Sequence, residues 1–136
     1  MIGVVVIAHT VGDADSAEQW CLALAPGDEV LRLSRLWTRD DRPICYEILV
    51  LPLGQFPGLA NERDVTGDIV ALADAYGIPL GASREDFAEV YPTAEVAEHL
   101  GIDSDVAVFK TERVVRCSSR LPIEWRVAFC LELQEF

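Results

Sequence analysis

The sequence predicts an α+β domain: a largely antiparallel sheet with helices packed on one face. Three observations carry that reading. Strand-like runs at 30–38 and 43–51, and again at 106–116 and 123–133, are joined by short polar turns, as hairpins are. Three short helical segments each begin at a capping residue and end at glycine or Pro-Gly. The closing run sends Trp125, Val127, Phe129, Leu131 and Leu133 to one side and Glu124, Arg126, Ala128, Cys130 and Glu132 to the other. A face that apolar must be covered, most simply by the helices.

Residues 4–9 are β-branched and apolar, a buried strand. Asp15 or Ser16 caps a helix running to Leu24, with Ala17, Trp20, Cys21 and Leu24 on one face, and Pro26-Gly27 ends it. The 30–38 and 43–51 runs flank Arg39-Asp40-Asp41-Arg42, and Pro52, Gly54, Pro57 and Gly58 punctuate the loop that follows. A second helix over 66–76 places Ile69, Leu72, Ala73 and Tyr76 at helical spacing, with Gly77 as its left-handed stop. After Pro79 an extended stretch reaches Tyr91, anchored by Phe87 and Val90. Thr93 caps a third helix to Leu100, Gly101 closes it, and Asp103-Ser104-Asp105 leads into the last hairpin around Ser118-Ser119.

The chain has 136 residues, a length that suits one domain over 1–136 and a core that needs no staples. At 51% apolar residues it is too hydrophobic to be disordered. Acidic residues number 23 against 11 basic ones (ten arginines and Lys110), a net charge of −12. Direct nucleic-acid binding by this chain is therefore not expected, since phosphates need a basic surface. No apolar run approaches the roughly 18 residues of a membrane span. The apolar segment 2–8 also lacks the flanks of a secretory signal. Cys21, Cys45, Cys117 and Cys130 form no CxxC pair. Four cysteines allow a disulfide framework arithmetically, but they are read here as reduced thiols in a cytoplasmic protein. His9 and His99 stand at no ligand spacing, so no metal site is expected.

Arg35 and Glu47 are the first candidates for a binding site. They lie twelve residues apart on the first hairpin. A three-residue loop (Asp40 to Arg42) makes them face each other, whereas a two-residue loop sets Arg35 opposite Tyr46 and sends Glu47 to the other face. Arginine offers a planar fork to a carboxylate or phosphate, and glutamate accepts hydroxyl or amine protons. An ordinary cross-strand ion pair explains the same two residues without a ligand.

Three stretches carry a family resemblance. VLRLSRLWTRDDRPICYEILVLPLGQFPGL (30–59), EDFAEVYPTAEVAEHLGIDSDVAVFKTERVV (85–115) and LPIEW (121–125) resemble, in that order, the UTRA domain of HutC-type regulators in the GntR family. The resemblance implies the chorismate-lyase-like fold and a pocket for a small metabolite, with no cofactor and no catalytic residue. It also implies a homodimer and a winged helix-turn-helix domain, N-terminal to the sensor, whose DNA affinity the metabolite shifts. That DNA-binding domain is absent from this chain, where Met1 sits almost directly on the first strand. A piece of a longer regulator is the preferred explanation, a free-standing sensor the other.

In sugar-phosphate-sensing members the pocket is lined at positions matching Arg35, Trp37, Glu47, Gly67, Ile69, Glu124 and Cys130. Arg35, Glu47 and Glu124 keep the family's residue types. Trp37 stands where those members have a second arginine, Gly67 where they have serine, and Ile69 and Cys130 where they have tyrosine. Losing an arginine and a hydroxyl argues against a sugar phosphate. The implied effector is a small organic acid or amino-acid-like metabolite with an apolar part, its anionic end on Arg35 and its flat face on Trp37. The alternative is a stand-alone enzyme of the same fold. Chorismate lyase uses an arginine and a glutamate, but Ile48 and Val127 occupy the matching positions.

Overall fold

The protein is described by a computed structural model covering residues 1–133; the last three residues of the expected 1–136 domain lie outside the described residues. The strands are β1 (Ile2–Asp13), β2 (Glu29–Arg39), β3 (Arg42–Pro52), β4 (Leu80–Val90), β5 (Val108–Cys117) and β6 (Pro122–Cys130). The helices are α1 (Ser16–Leu22), α2 (Ile69–Ala75) and α3 (Ala94–Leu100). The strands form one sheet in the order β1-β2-β3-β6-β5-β4, and every neighbouring pair is antiparallel. Each half of the chain thus reads strand, helix, strand, strand, and the halves meet along a central β3–β6 seam.

The β2–β3 turn decides the register of the hairpin. Asp40 and Asp41 take φ of 51° and 65°, the left-handed pair of a two-residue hairpin turn, which short polar side chains tolerate. Arg39 pairs with Arg42 and Thr38 with Pro43, but Trp37 then pairs with Cys45, leaving Ile44 as the extra residue of a bulge. The bulge shifts the register by one, so Arg35 faces Glu47. A two-residue turn therefore brings about the pairing that a three-residue loop was expected to give.

Both faces of the central strands are covered, but the edge strands are not. β4 is exposed along nearly its whole length, and β1, expected to be a buried strand, has no buried residue because it lies at the sheet edge. On one face, α1 sets Leu22 against Val30, Val50 and Trp125, while α3 sets Val96 and Leu100 against Tyr46, Val108 and Phe129. This is the apolar face of β6 under two helices, as the sequence implies; the expectation that all the helices lie on that one face is corrected by α2, which covers the other. On the opposite face, α2 and the 53–68 loop pack Phe56, Leu59, Val65, Ile69 and Ala73 onto Leu31, Leu33, Leu49, Leu51 and Ile123.

The short helices are fixed by their caps. Asp15 accepts from the Glu18 amide at 2.8 Å and Glu18 returns a bond to the Asp15 amide at 2.9 Å. Glu18 also takes two hydrogen bonds from Arg32 at 2.7 and 2.8 Å, which hold its carboxyl below the usual range against the effect of burial. This ion pair rotates α1 so that Glu18 and Leu22 face inward. The expected Ala17–Trp20–Cys21–Leu24 face is corrected accordingly, and Trp20 stands 88% exposed. Thr93 and Gly101 cap α3 as expected, with Gly101 at φ 67°. On β4 Val90 packs inward, but Phe87 is no anchor, being 64% exposed.

Two further points bear on stability. Cys45 and Cys130 are not reduced thiols: they form a disulfide across the β3–β6 seam, while Cys21 and Cys117 are free. The physical reason is register, since the two are direct cross-strand partners with Cα atoms 4.1 Å apart. At Gly81, where the β4–β5 ladder slips, a Cβ would press on the Cys117 carbonyl oxygen and lie 2.8 Å from its carbon. Backbone cannot step aside as a side chain can. Gly81→Ala is expected to lower unfolding free energy by about 1–3 kcal/mol in urea titration.

Candidate functional site

Alternation along the strands brings a set of polar side chains onto the face that α2 covers. Successive cross-strand partners form a row Arg35–Glu47–Ala128–Thr111–Phe87, and beside it Leu33–Leu49–Arg126–Arg113–Glu85. A third row holds Trp37, Cys45, Cys130, Phe109 and Glu89. Large charged residues therefore surround the small Ala128 and Thr111. That leaves a hollow.

Glu47 is the hub. It is 1% exposed, and Arg35 and Arg126 each donate through Nε, Arg35 to Oε1 and Arg126 to Oε2. Trp37 Nε1 donates to Oε1 at 2.7 Å, and the Arg35 guanidinium lies 5.8 Å from the Trp37 ring centre. Burial pushes the Glu47 carboxyl up, but Arg126, Arg35 and Trp37 together outweigh it and hold the group below its ordinary range. Arg35 also donates from Nη1 to the carbonyls of Val65 at 3.1 Å and Gly67 at 2.8 Å, which ties the segment entering α2 to the sheet.

Glu124 sits two residues before Arg126 and is equally buried. Arg113 donates to its Oε1 from Nε at 3.0 Å and from Nη2 at 2.7 Å. Here burial prevails over the Arg113 charge, and the carboxyl is raised above its usual range. The two buried acids are thus pushed in opposite directions. One is held ionised and the other is biased towards its protonated form.

A pocket of about 220 Å³ opens on these groups, lined by Arg35, Trp37, Glu47, Asp68, Arg113 and Arg126. An adjoining hollow of about 100 Å³ shares Arg113 and Arg126 and continues over Phe87, Phe109, Ala128 and Cys130. A larger groove of about 550 Å³, between α1 and the 52–55 loop, contains no guanidinium and no buried acid. Among the described residues no three metal-ligating side chains gather, and no helix is long and apolar enough to cross a membrane.

The family model of the UTRA domain matches residues 2–132 of the chain. The chain belongs to the UTRA domain family. A curated relative, the uncharacterised HTH-type transcriptional regulator YurK of Bacillus subtilis, is 25% identical over 122 residues, covering 87% of this chain and 49% of its own. The chain therefore spans about half the length of that relative. The effector domain of PhnF from Mycobacterium smegmatis superposes with a TM-score of 0.89 at 26% identity, over 96% of this chain and 81% of that one. A GntR-family regulator from Enterococcus faecalis shares the fold at TM-score 0.88 and 23% identity, over 98% of both chains.

The residues that the UTRA resemblance singled out are dispersed around the pocket. Arg35, Trp37 and Glu47 line it. Gly67 contributes its carbonyl to Arg35, and a Cβ there would meet only Ala71 Cβ at 3.6 Å, so its lack of a side chain is not imposed by space. Ile69 turns away into the core under α2. Glu124 stands behind the pocket on Arg113, and Cys130 borders the adjoining hollow with its sulfur tied to Cys45. Arg113, Arg126 and Asp68 were missed. Arg126 shares the alternating face of Glu124 in the sequence, which is the signal that points to it.

The positions matched to the lyase pair, Ile48 and Val127, are cross-strand partners, one residue along from Glu47 and Ala128 and so on the opposite face from the UTRA pocket. Both carry aliphatic side chains. The relatives of this UTRA domain are transcription regulators, which agrees with the regulatory reading over the enzymatic one.

Proposed function

We propose that this domain is the effector sensor of a GntR-family regulator of the HutC type. It binds a small organic acid or amino-acid-like metabolite and performs no chemistry on it. The signal passes to a winged helix-turn-helix domain outside this chain, in a cytoplasmic homodimer. The observation that carries the reading is the buried Arg35–Glu47–Arg126 triad beside a small pocket. Charges withdrawn from water are weak stabilisers, whereas fixed, pre-oriented polar groups suit ligand recognition. Glu47, kept ionised, accepts from a ligand amine or hydroxyl, Trp37 supplies a flat wall, and the tie from Arg35 to Val65 and Gly67 lets a ligand act on α2. Gly67, Ile69, Glu124 and Cys130 shape the surroundings of that pocket.

A thermal-shift screen with amino acids, aromatic acids, sugar phosphates and fatty acids tests this. A metabolite present at about 100 times its Kd should stabilise the domain by about 2.7 kcal/mol, a rise of several degrees in Tm. Incubation with chorismate should release no 4-hydroxybenzoate. Turnover there, or a flat response across the whole screen, overturns the sensor reading.

A further inference from the structure

Arg113 and Arg126 stand directly opposite each other across β5 and β6. Like charges in that position repel. The Arg126 side chain is 9% exposed, and its Nε is committed to Glu47 Oε2. Among the described residues no acceptor meets its two terminal nitrogens, nor Nη1 of Arg113. These nitrogens are not buried orphans, since His9 Nε2 is the one such side-chain atom among the described residues; they open onto the pocket, free to donate to whatever acceptor enters it.

No neighbouring acid fills that role. Glu47 already accepts at both oxygens, Glu124 holds the inner edge of Arg113, and Glu85, the cross-strand partner of Arg113, makes no ion pair with it among the described residues. Both arginines line the pocket and the adjoining hollow alike. On the far side of the pair the hollow is mixed: Ala128, Phe109 and Phe87 offer apolar surface, and Glu85, Thr111 and Glu132 also line it. The acidic groups around the two spaces, Glu47 and Asp68 on the near side and Glu85 and Glu132 on the far side, disfavour a dianion.

We infer that Arg113 and Arg126 together form the anion seat of this pocket. The ligand is a small monocarboxylic acid whose carboxylate bridges the two guanidiniums and whose apolar body lies along Ala128, Phe109 and Phe87. The inference rests on the effector reading and names the ligand class for it. It also moves the anion contact away from Arg35, whose Nε and Nη1 are occupied by Glu47 and the 65–67 carbonyls.

Calorimetry on the whole chain, with acids paired to their neutral amides, tests the inference without any variant. The probes are benzoate and benzamide, phenylacetate and phenylacetamide, and inorganic phosphate. At least one acid should bind ten-fold or more tightly than its amide and than phosphate. Arg113→Gln and Arg126→Lys should each weaken that acid at least ten-fold. Equal affinity for acid and amide, tighter phosphate, or an acid untouched by both substitutions overturns the anion seat. Should no acid bind while a neutral compound from the thermal screen does, the seat fails and the sensor reading stands. A flat screen removes both.

Discussion

Glu47→Ala is expected to destabilise the domain by about 3–5 kcal/mol, the largest effect of any single substitution here. Glu47 is the acceptor shared by Arg35, Arg126 and Trp37, and all three donors surround a group that water barely reaches. Truncating it strands two guanidiniums, one of them 3% exposed. Glu47→Gln keeps an acceptor oxygen and the packing, so it should cost less. Urea denaturation measures both, and a loss under about 1 kcal/mol for the alanine variant would mean the arginines find solvent or other acceptors.

The same residue sets the acid limb of stability. The native carboxyl titrates below its ordinary value of 4.5. Its contribution is therefore complete above that value and is lost as pH falls through the lowered native one. Glu124 runs the other way: its raised carboxyl favours folding most below 4.5, and that advantage disappears as pH rises through the raised native value. Stability profiles of Glu47→Gln and Glu124→Gln should consequently differ from wild type with opposite slopes in acid.

The second large effect concerns the Cys45–Cys130 bridge. It closes a loop across a sequence separation of 85 residues, so breaking it restores much chain freedom to the unfolded state. Cys130→Ser, or reduction by dithiothreitol, should lower unfolding free energy by about 2–4 kcal/mol. Thiol titration of the denatured, unreduced chain should find two free groups, Cys21 and Cys117. Four free groups would remove the bridge. Protein taken from reducing and oxidising cells and trapped in acid should show how far a reducing compartment keeps the pair open.

Sequence pattern made the architecture legible because hairpins, caps and alternation are local. The β2–β3 and β5–β6 hairpins, the Thr93 and Gly101 caps and the apolar stripe of β6 each follow from a few neighbouring residues. The Arg35–Glu47 contact was readable only as a conditional, because nothing local tells a two-residue turn with a bulge at Ile44 from a longer loop. Alternation also states which residues share a face without saying how that face is covered. Arg126 and Glu124 could thus be grouped together while their burial stayed hidden. Trp20 was misplaced because a capping box and the Arg32 pair outweighed hydrophobic spacing in a helix of seven residues. The Cys45–Cys130 partnership depends on a pairing between strands from opposite halves of the chain, which no spacing rule reaches.

The seam where β3 meets β6 has a consequence for biosynthesis. Glu47 and Arg35 are translated early, yet Arg126 is supplied by the final strand. While the ribosome is still at work, the N-terminal half can assemble its three-stranded meander but must keep a naked edge, with Glu47 Oε2 still lacking its Arg126 donor. Recognition capacity therefore arises in one late step, when the C-terminal half docks along that edge. A nascent chain arrested before residue 122 should display a native-like N-terminal sheet with no affinity for ligand.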